Sequence, residues 1–229
     1  MQSMATVVAI GVTAQGERQI LGVDAGPSEE GAFWTAFLRS LVKRGLRGVQ
    51  LVISDAHEGI RKALSTVLSG ASWQRCRVHF MRNLLATIPH SAREPVAAIV
   101  RTIFAQPDKP TAMTQLHKVA DGLRTRFTQG AALLEDAAED ILAHRDFPLE
   151  HRQQLHSTNP LERLNKEIKR RSAVVGIFPN PKALLRLVGA VLAEQDDEWS
   201  VAERRDFSAE SMKLLTQPPV LPGQEELLA

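Results

Sequence analysis

The sequence contains a single cysteine, Cys76, in 229 residues. A lone cysteine excludes an internal disulfide framework and is typical of a protein kept in a reducing cytosol. No apolar run approaches the ~18 residues that a membrane-spanning helix requires, so we expect no membrane partner. Residues 1–6 show neither a basic segment nor a cleavable apolar one, and we expect no signal peptide. These absences predict a cytoplasmic protein.

The chain also has little net charge, because 28 Lys and Arg residues stand against 26 Asp and Glu residues. So small an excess does not by itself predict binding to nucleic acid. The distribution of charge is more informative, since residues 163–171 are strongly basic and residues 135–140 are acidic. Gly-x-Ser-x-Gly, P-loop and Gly-x-Gly-x-x-Gly patterns are lacking, so acyl-transfer and nucleotide-binding functions have no support.

Short strand-like and helical segments alternate in the first part of the chain and predict an α/β fold. Residues 7–12 and 19–23 are rich in β-branched side chains, and turn residues between them predict a hairpin. A helix is predicted to start at 27–30 and to continue with apolar residues at helical spacing as far as Leu41. The continuous apolar run 49–53 predicts a strand that is buried on both faces.

The rest of the sequence is predicted to be mostly helical. Residues 73–80 predict a strand, or a strand that turns into a helix. Over residues 82–145 every signal is helical, and a helical stretch of this length inside an α/β pattern indicates an insertion. Further helices are predicted from Asn159 and over 184–199. The tail from 217 holds several Pro, Gly and Glu residues and is predicted to be disordered.

Asp55 ends the predicted strand 49–53, and the local residues allow two interpretations. A strand that ends in aspartate places a carboxylate at a sheet edge, where open α/β sheets commonly bind ligands. Metal chemistry on phosphodiesters needs such carboxylates, because Mg²⁺ prefers hard oxygen ligands. Alternatively, Asp55 caps the helix that starts near His57, since aspartate is a favoured cap.

Glu162 likewise has a structural and a functional interpretation. If Asn159 is the N-cap and Pro160 the first helical residue, Glu162 occupies the third position of a capping box. Helical periodicity places Glu162 and Lys166 on one face, away from the apolar side of the helix. That face is either a solvated surface with a Glu162–Lys166 ion pair, worth roughly 0.2–0.5 kcal/mol, or an acid set among cations.

A third group of residues has the side-chain types of a zinc site. Asp55, His57, Cys76 and His79 are all plausible zinc ligands. However, a Cys-x2-His pattern without a second matching pair is a weak zinc signal. A lone cysteine on a strand is more often part of the core, and a nearby histidine is more often hydrogen-bonded.

Four blocks of the sequence carry more information together than any of these motifs alone. They are SDAHEG at 54–59, WQRCRVHFMRNL at 73–84, STNPLERLNKEIKRR at 157–171 and GIFPN at 176–180. In this order and spacing they strongly resemble the Mutator-type transposases of bacterial insertion sequences. The resemblance covers residues 7–199, and its motifs are long and specific. It favours the functional interpretation of both Asp55 and Glu162.

The resemblance implies a ribonuclease H-like core, a mixed sheet with helices, and an all-helical insertion before the last catalytic acid. The implied boundaries are 1–81 for the first part of the core and 82–156 for the insertion. Residues 157–200 then complete the core with the catalytic-Glu helix, and 201–229 form a partly disordered tail.

The resemblance also implies which residues form the catalytic site. Family members cut and join DNA with two Asp and one Glu that hold two divalent metal ions, Mg²⁺ or Mn²⁺. By match, Asp55 is the second Asp and Glu162 is the Glu, both catalytic and metal-binding. His57, Cys76 and His79 are expected to shape the site or touch DNA, with no zinc. The residues expected to contact DNA phosphates are Arg75, Arg77, Arg82, Arg163, Lys166, Lys169, Arg170 and Arg171.

The sequence departs from the family pattern at its beginning. The family has a first core strand that carries the first Asp, and this sequence starts at the second strand. Asp24 is too close to Asp55 to substitute. We expect it at the end of the second strand of the hairpin or in the turn after it, and we favour a turn or helix-lead role. We therefore expect an N-terminally truncated core with an incomplete metal site. The missing strand is normally central, so strand 7–12 should close against 51–53, recruit another chain, or leave the fold poorly stable.

The sequence thus predicts a DNA-associated transposase of the bacterial cytoplasm that acts on element ends and target DNA with an incomplete catalytic site. Its protein partner would be a second copy or a full-length transposase. The alternative is a non-catalytic truncated transposase that binds DNA or a full-length transposase. A zinc-dependent hydrolase built on Asp55, His57, Cys76 and His79 is a third class.

Overall fold

The computed structural model describes residues 5–26, 31–202 and 205–215. Within these ranges the protein is a mixed α/β structure, mostly helical, with two small two-stranded sheets. The strands are β1 (Ala5–Val12), β2 (Arg18–Gly26), β3 (Leu51–Ser54) and β4 (Ser72–Arg75). The helices are α1 (Gly31–Lys43), α2 (Glu58–Val67), α3 (Arg77–Ala86), α4 (Arg93–Phe104), α5 (Lys109–Arg124), α6 (Thr128–Asp136), α7 (Ala138–Leu142), α8 (Leu149–Leu155), α9 (Asn159–Val175), α10 (Pro181–Ser200) and α11 (Ala209–Lys213). No helix in the described ranges is long and apolar enough to cross a membrane.

β1 and β2 form the predicted antiparallel hairpin. Backbone hydrogen bonds between Thr13 and Glu17, and from Gly16 to Thr13, close its turn. Gly16 has a φ of 81°, a conformation that costs glycine little because it has no Cβ. A Cβ at this position would also collide with the backbone oxygen of Phe207. The turn therefore requires glycine for two independent reasons.

Asp24 lies inside β2, opposite Val7, and its carboxylate accepts a hydrogen bond from the Ala25 N–H at 2.8 Å. Of the two placements expected for Asp24, the end of the strand is therefore the one observed, and the favoured turn or helix-lead role is not. β2 continues past Asp24 because β1 begins early enough for Ala5 to pair with Gly26. The helix start predicted at 27–30 lies outside the described residues, as does the tail from 217.

β3 and β4 pair in parallel, and α2 connects them. β4 ends at Arg75 and α3 begins at Arg77, so the second interpretation of residues 73–80, a strand that turns into a helix, is the one observed. α1 and α2 cover both sheets through one shared apolar cluster. Its buried members are Val7, Phe37, Leu38, Leu41, Ala63 and Leu64, and Val52 and Trp73 pack against them.

The two sheets remain separate in the part of the chain that the structure describes. β1 pairs with β2, β3 pairs with β4, and no ladder joins β1 to β3. Closure of the hairpin against β3, one of the three outcomes expected for a core without its central strand, is thus not observed. β3 is half-buried along its length, and the expectation that it is buried on both faces is wrong. The physical reason is that one of its edges has no described neighbouring strand.

The helices from α3 to α7 surround a second and larger apolar cluster. Its fully buried members include Phe80, Leu84, Val100, Ile103, Leu116, Leu134, Ile141 and Leu142. Burying each such side chain stabilises the fold by about 1.5–3 kcal/mol. The helical character of 82–145 is therefore confirmed, while its separation as a domain with boundaries at 82 and 156 stays a prediction.

Gln74 on β4 connects the strands to this helical block. It is fully buried, and its amide nitrogen donates to the backbone oxygen of Ile141 at 3.1 Å. Its Oε1 accepts the backbone N–H of His144 at 2.7 Å and lies 3.0 Å from Nδ1 of the same histidine. Burial, with help from the neighbouring Arg145 charge, lowers the pKa of His144 to about 3. The histidine is therefore held neutral in the fold.

α9 and α10 cover the other face of the hairpin through a third apolar cluster. Its buried members are Val8, Leu164, Ile168, Val188, Val191 and Leu192. The N-cap of α9 is Thr158, so the placement of Asn159 as the cap and of Glu162 in a capping box is wrong. The Thr158 hydroxyl makes no capping hydrogen bond to its own helix, and it donates to Cys76 Sγ at 3.3 Å.

A His144→Gln variant should lose less unfolding free energy on acidification than the wild type does. The folded state resists protonation of His144 down to about pH 3, whereas the unfolded state takes up that proton near pH 6.5, so acid favours unfolding. At ~1.4 kcal/mol per pH unit, wild type should lose roughly 2 kcal/mol through this residue between pH 7 and pH 5. Urea unfolding at both pH values measures the effect. The exposed His117→Gln control should keep the wild-type dependence of the unfolding free energy on pH. An equal pH dependence in the two variants would contradict the role given to His144.

Candidate functional site

Asp55 directly follows β3 and projects at the carboxyl end of that strand. Its side chain is 55% exposed. The alternative role as a helix cap is not observed, because the N-cap of α2 is His57 and no side chain caps that helix. The Asp55 carboxylate is therefore available at the sheet edge, as the functional interpretation requires.

Glu162 lies in the first turn of α9 and is half-buried. Its N–H bonds to the Thr158 backbone oxygen at 2.9 Å, which fixes the backbone of this turn. One carboxylate oxygen, Oε1, is buried and has no hydrogen-bond partner. The Glu162–Lys166 ion pair of the structural interpretation is not among the ion pairs of the described residues, and Glu162 contacts His79 instead.

His79, in the first turn of α3, brings the two acids together. Its Nδ1 lies 2.5 Å from Asp55 Oδ1, and its Nε2 lies 3.5 Å from Glu162 Oε1. Neither contact is a hydrogen bond, because His79 Nδ1 and Glu162 Oε1 are both buried without a hydrogen-bond partner. The distances nevertheless place two carboxylates from distant parts of the sequence against opposite nitrogens of one imidazole.

Cys76 lies beside these groups at the junction of β4 and α3, and it is fully buried. Its N–H donates to the Ser54 backbone oxygen at 2.8 Å. Its Sγ accepts the N–H of Thr158 at 3.5 Å and the hydroxyl of Thr158 at 3.3 Å. A donor atom from each of Asp55, Cys76 and His79 lies within 4.8 Å of the other two. The structure therefore groups four of the predicted site residues.

His57 is the predicted residue that makes none of these contacts. Its ring lies 6.2 Å from the ring of Trp34, between the starts of α1 and α2. Its Nδ1 is buried without a hydrogen-bond partner. Asp55 remains linked to it only through the backbone, because the His57 N–H donates to the Asp55 carbonyl oxygen at 2.9 Å.

The side chains present fit a hard divalent cation. Asp55 offers an exposed carboxylate, and Glu162 offers a buried oxygen with no hydrogen-bond partner. A buried charged oxygen is costly unless a donor or a cation compensates it. Carboxylate oxygens are the ligands that Mg²⁺ prefers. The carboxylates of Asp55 and Glu162 are thus of the ligand type that Mg²⁺ and Mn²⁺ take, but Glu162 lies outside the group of donor atoms from Asp55, Cys76 and His79 that are within 4.8 Å of one another.

The cations of α9 fall into two groups. Arg163, Lys166 and Lys169 are exposed and have no acidic partner among the described residues. Arg170 and Arg171 are also exposed, but both pair with Glu167, at 2.6 and 2.8 Å. Their hydrogen bonds lower the pKa of Glu167 to about 2. The first group can therefore bind an anion without breaking an existing ion pair.

The three arginines near Cys76 differ in their surroundings. Arg75 is half-buried with its guanidinium 5.0 Å from the Phe80 ring, and Arg77 is half-buried with its guanidinium 4.8 Å from the Phe104 ring. Burial lowers the pKa of both guanidinium groups. Arg82 alone of the three is exposed. It is consequently the most accessible of them to a phosphate.

Sequence reasoning missed two residues that build this region. Thr158 is buried and holds Cys76, and Gln74 is fully buried between β4 and the helical block. Thr158 belongs to one of the motifs that carry the resemblance, which was the available signal. Gln74 offered no signal, because a glutamine on a short strand is ordinarily a surface residue.

Known proteins are similar to this chain over most of its length. The profile of the family described as "Transposase, Mutator family" matches residues 1–202. The chain belongs to this family. Among its relatives, it is 46% identical over 199 residues to the transposase for insertion sequence element IS1081 of Mycobacterium tuberculosis. That alignment covers 87% of this chain and 48% of the relative.

Two further relatives match a similar share of the chain. The transposase for insertion sequence element IS406 of Burkholderia multivorans is 43% identical, over 85% of this chain and 50% of its own length. The transposase for IS256 in transposon Tn4001 of Staphylococcus aureus is 39% identical, over 86% of this chain and 51% of its own length. The chain spans about half the length of the curated relatives it matches.

We expect the purified Mutator-family chain to hold no stoichiometric zinc. The Cys76 sulfur is buried and already accepts two hydrogen bonds from Thr158, whereas a zinc ligand must be a thiolate bound to the metal. Elemental analysis of protein purified without chelator measures the zinc content. One zinc per chain, lost in a Cys76→Ala variant, would contradict this expectation.

Proposed function

We propose that the chain is the catalytic-core segment of an insertion-sequence transposase, which cleaves DNA and transfers strands with divalent metal ions. The observation that carries the proposal is the approach of Asp55 and Glu162 to the same imidazole ring. Glu162 lies on the helix that also presents three exposed cations with no acidic partner among the described residues. An acid pair beside cations suits a metal-dependent reaction on a polyanion.

We propose a ribonuclease H-like core, which the order of elements supports. A hairpin, a helix, a strand, a helix and a second parallel strand follow one another from β1 to β4. The described backbone hydrogen bonds of β1 run to β2, and those of β3 run to β4 and Cys76. A further strand between β1 and β3 would make one continuous sheet on the α1–α2 layer. Such a strand would run beside β3 and could deliver the family's first catalytic Asp next to Asp55.

Asp55 and Glu162 would hold the metal in this proposal, one through an exposed carboxylate and the other through its buried oxygen. When bound, divalent ions polarise the phosphodiester and activate the attacking water or 3′ hydroxyl. Two ions ~4 Å apart repel each other and are normally bridged by a shared carboxylate. With only these two acids, the chain by itself would bind metal weakly and misalign it.

The cations of α9 would hold the DNA backbone. Arg163, Lys166 and Lys169 are free of ion pairs in the described structure, and Arg170, Arg171 and Arg82 are exposed. Arg75 and Arg77 would contribute from half-buried positions. Contacts with phosphates position DNA without reading its sequence. The proposed DNA partners are the ends of the element and the target.

The second candidate function is a non-catalytic protein that binds DNA or a full-length transposase. The observation in its favour is the separation of the two sheets, since a strand edge without a neighbour can pair with another chain. A second copy or a full-length transposase could supply the strand between β1 and β3. A measurement of strand transfer by the chain alone distinguishes this candidate from the catalytic core proposed above.

Metal binding and strand transfer test the proposed site directly. We expect Asp55→Asn and Glu162→Gln each to raise the Kd for Mn²⁺ at least ~10-fold, because each removes a charged ligand oxygen. The exposed Glu94→Gln control should bind as wild type does. With Mg²⁺ and terminal-repeat DNA, the chain alone should transfer strands only near background. Robust strand transfer would contradict the incompleteness of the site, and unchanged Mn²⁺ binding in both variants would contradict the site itself.

The salt dependence of DNA binding tests the role of α9. A Lys166→Gln and Lys169→Gln double variant should bind duplex DNA more weakly at every sequence. The slope of log affinity against log salt concentration should also become shallower by about 2, since each phosphate contact contributes ~0.9 to it. A double variant with two exposed cations on other helices, Arg101→Gln and Lys118→Gln, is the charge-matched control. Equal salt slopes in the two double variants would exclude a specific role for α9.

A further inference from the structure

Three elements that supply the side chains of the site meet at Cys76. Its N–H bonds to the carbonyl oxygen of Ser54, the last residue of β3, and its sulfur accepts the N–H and hydroxyl of Thr158, the N-cap of α9. Cys76 is itself the N-cap residue of α3. One fully buried residue thus fixes the end of a strand and the starts of two helices.

The three side chains of the site lie within a few residues of this junction along the chain. Asp55 is the residue after Ser54, and Glu162 lies one helical turn after Thr158, where its N–H bonds to the Thr158 oxygen. His79 lies one turn after Cys76 on α3. Any movement at Cys76 therefore displaces all three side chains relative to one another.

His79 then links the two acids through opposite sides of its ring. In the described structure the Asp55 side chain makes its one ion-pair contact with His79, although more than half of it is exposed. The Glu162 carboxylate likewise has its one ion-pair contact with His79. The imidazole is only 21% exposed and is carried by a helix, so it can act as a rigid spacer between two otherwise loosely held carboxylates.

We propose that Cys76 and His79 are positioning residues, which set the separation of Asp55 and Glu162 without binding the metal. The inference rests on the proposed function of those two acids. Cys76 acts through the backbone of β3 and the cap of α9, and His79 acts through direct contact with both carboxylates. The Cys-x2-His spacing follows, because one turn of α3 carries the ring from the junction to the acids.

Mn²⁺ binding to the whole chain, followed by electron paramagnetic resonance, tests the role of His79. Asp55→Asn should raise the Kd for Mn²⁺ at least ~10-fold, which checks the proposed site itself. His79→Ala should weaken binding roughly 10- to 100-fold, the range typical of groups that orient metal ligands. His79→Gln, which keeps a polar group of similar reach, should recover part of the loss, and the exposed His117→Ala should bind as wild type does. Unchanged or tighter binding in His79→Ala, with Asp55→Asn still impaired, overturns the positioning role and leaves the proposed function standing.

Carboxyl carbon NMR of the metal-free chain gives a second measurement, which does not depend on metal binding. The signals of Asp55 and Glu162 are assigned from their loss in Asp55→Asn and Glu162→Gln. His79→Gln should shift both signals, and His117→Ala should shift neither. A shift of only one signal, or of none, shows that the ring does not link the two acids and overturns the proposal.

The role of Cys76 is tested by a double-mutant cycle with Thr158. Cys76→Ala and Thr158→Val remove the two sides of one contact, so each should weaken Mn²⁺ binding and the double variant should be little worse than either. Thermal melts of the variants show whether each is folded, and Thr158→Val serves if Cys76→Ala is not. Wild-type Mn²⁺ binding in a folded single variant, or fully additive losses in the double variant, overturns the role of Cys76.

Discussion

The candidate site depends on the hydrogen bonds of one buried residue. Cys76 joins the last residue of β3 to the N-cap of α9, and both acids follow from these two points. The chain between Cys76 and Thr158 is long and almost entirely helical. The entropic cost of closing a loop rises only slowly with the length of the loop. A large helical block can therefore lie between the two halves of the site, provided that this junction is maintained.

The helical block is suited to that arrangement because it has its own apolar cluster. Its buried side chains come almost entirely from α3 to α7, whereas the strands and α9 are held by two other clusters. Gln74 and His144 connect the block to β4 through buried hydrogen bonds. The block thus fixes the strand that leads to Cys76, while the acids lie outside its core.

The sequence predicted the elements whose signals are local and missed the contacts that are not. The hairpin and α1 follow from β-branched runs and helical spacing, and both are observed. The capping box at Glu162 failed because α9 begins one residue earlier than predicted, with Thr158 as its N-cap. Asp24 lies near the end of a strand, one of its two predicted placements, because the hairpin register extends β2 to Gly26. The resemblance selected Asp55 and Glu162, but the link through His79 required coordinates.

The central claim is that Asp55 and Glu162 belong to one metal site. A crystal of the chain grown with Mn²⁺ and measured at the manganese absorption edge locates the ion without reference to activity. The account predicts an anomalous peak within ~2.2 Å of a carboxylate oxygen of Asp55 or Glu162, the distance typical of a small divalent ion and its oxygen ligands, with the other acid still beside the His79 ring. Mn²⁺ bound only elsewhere, or the two acids far apart from each other, would contradict it.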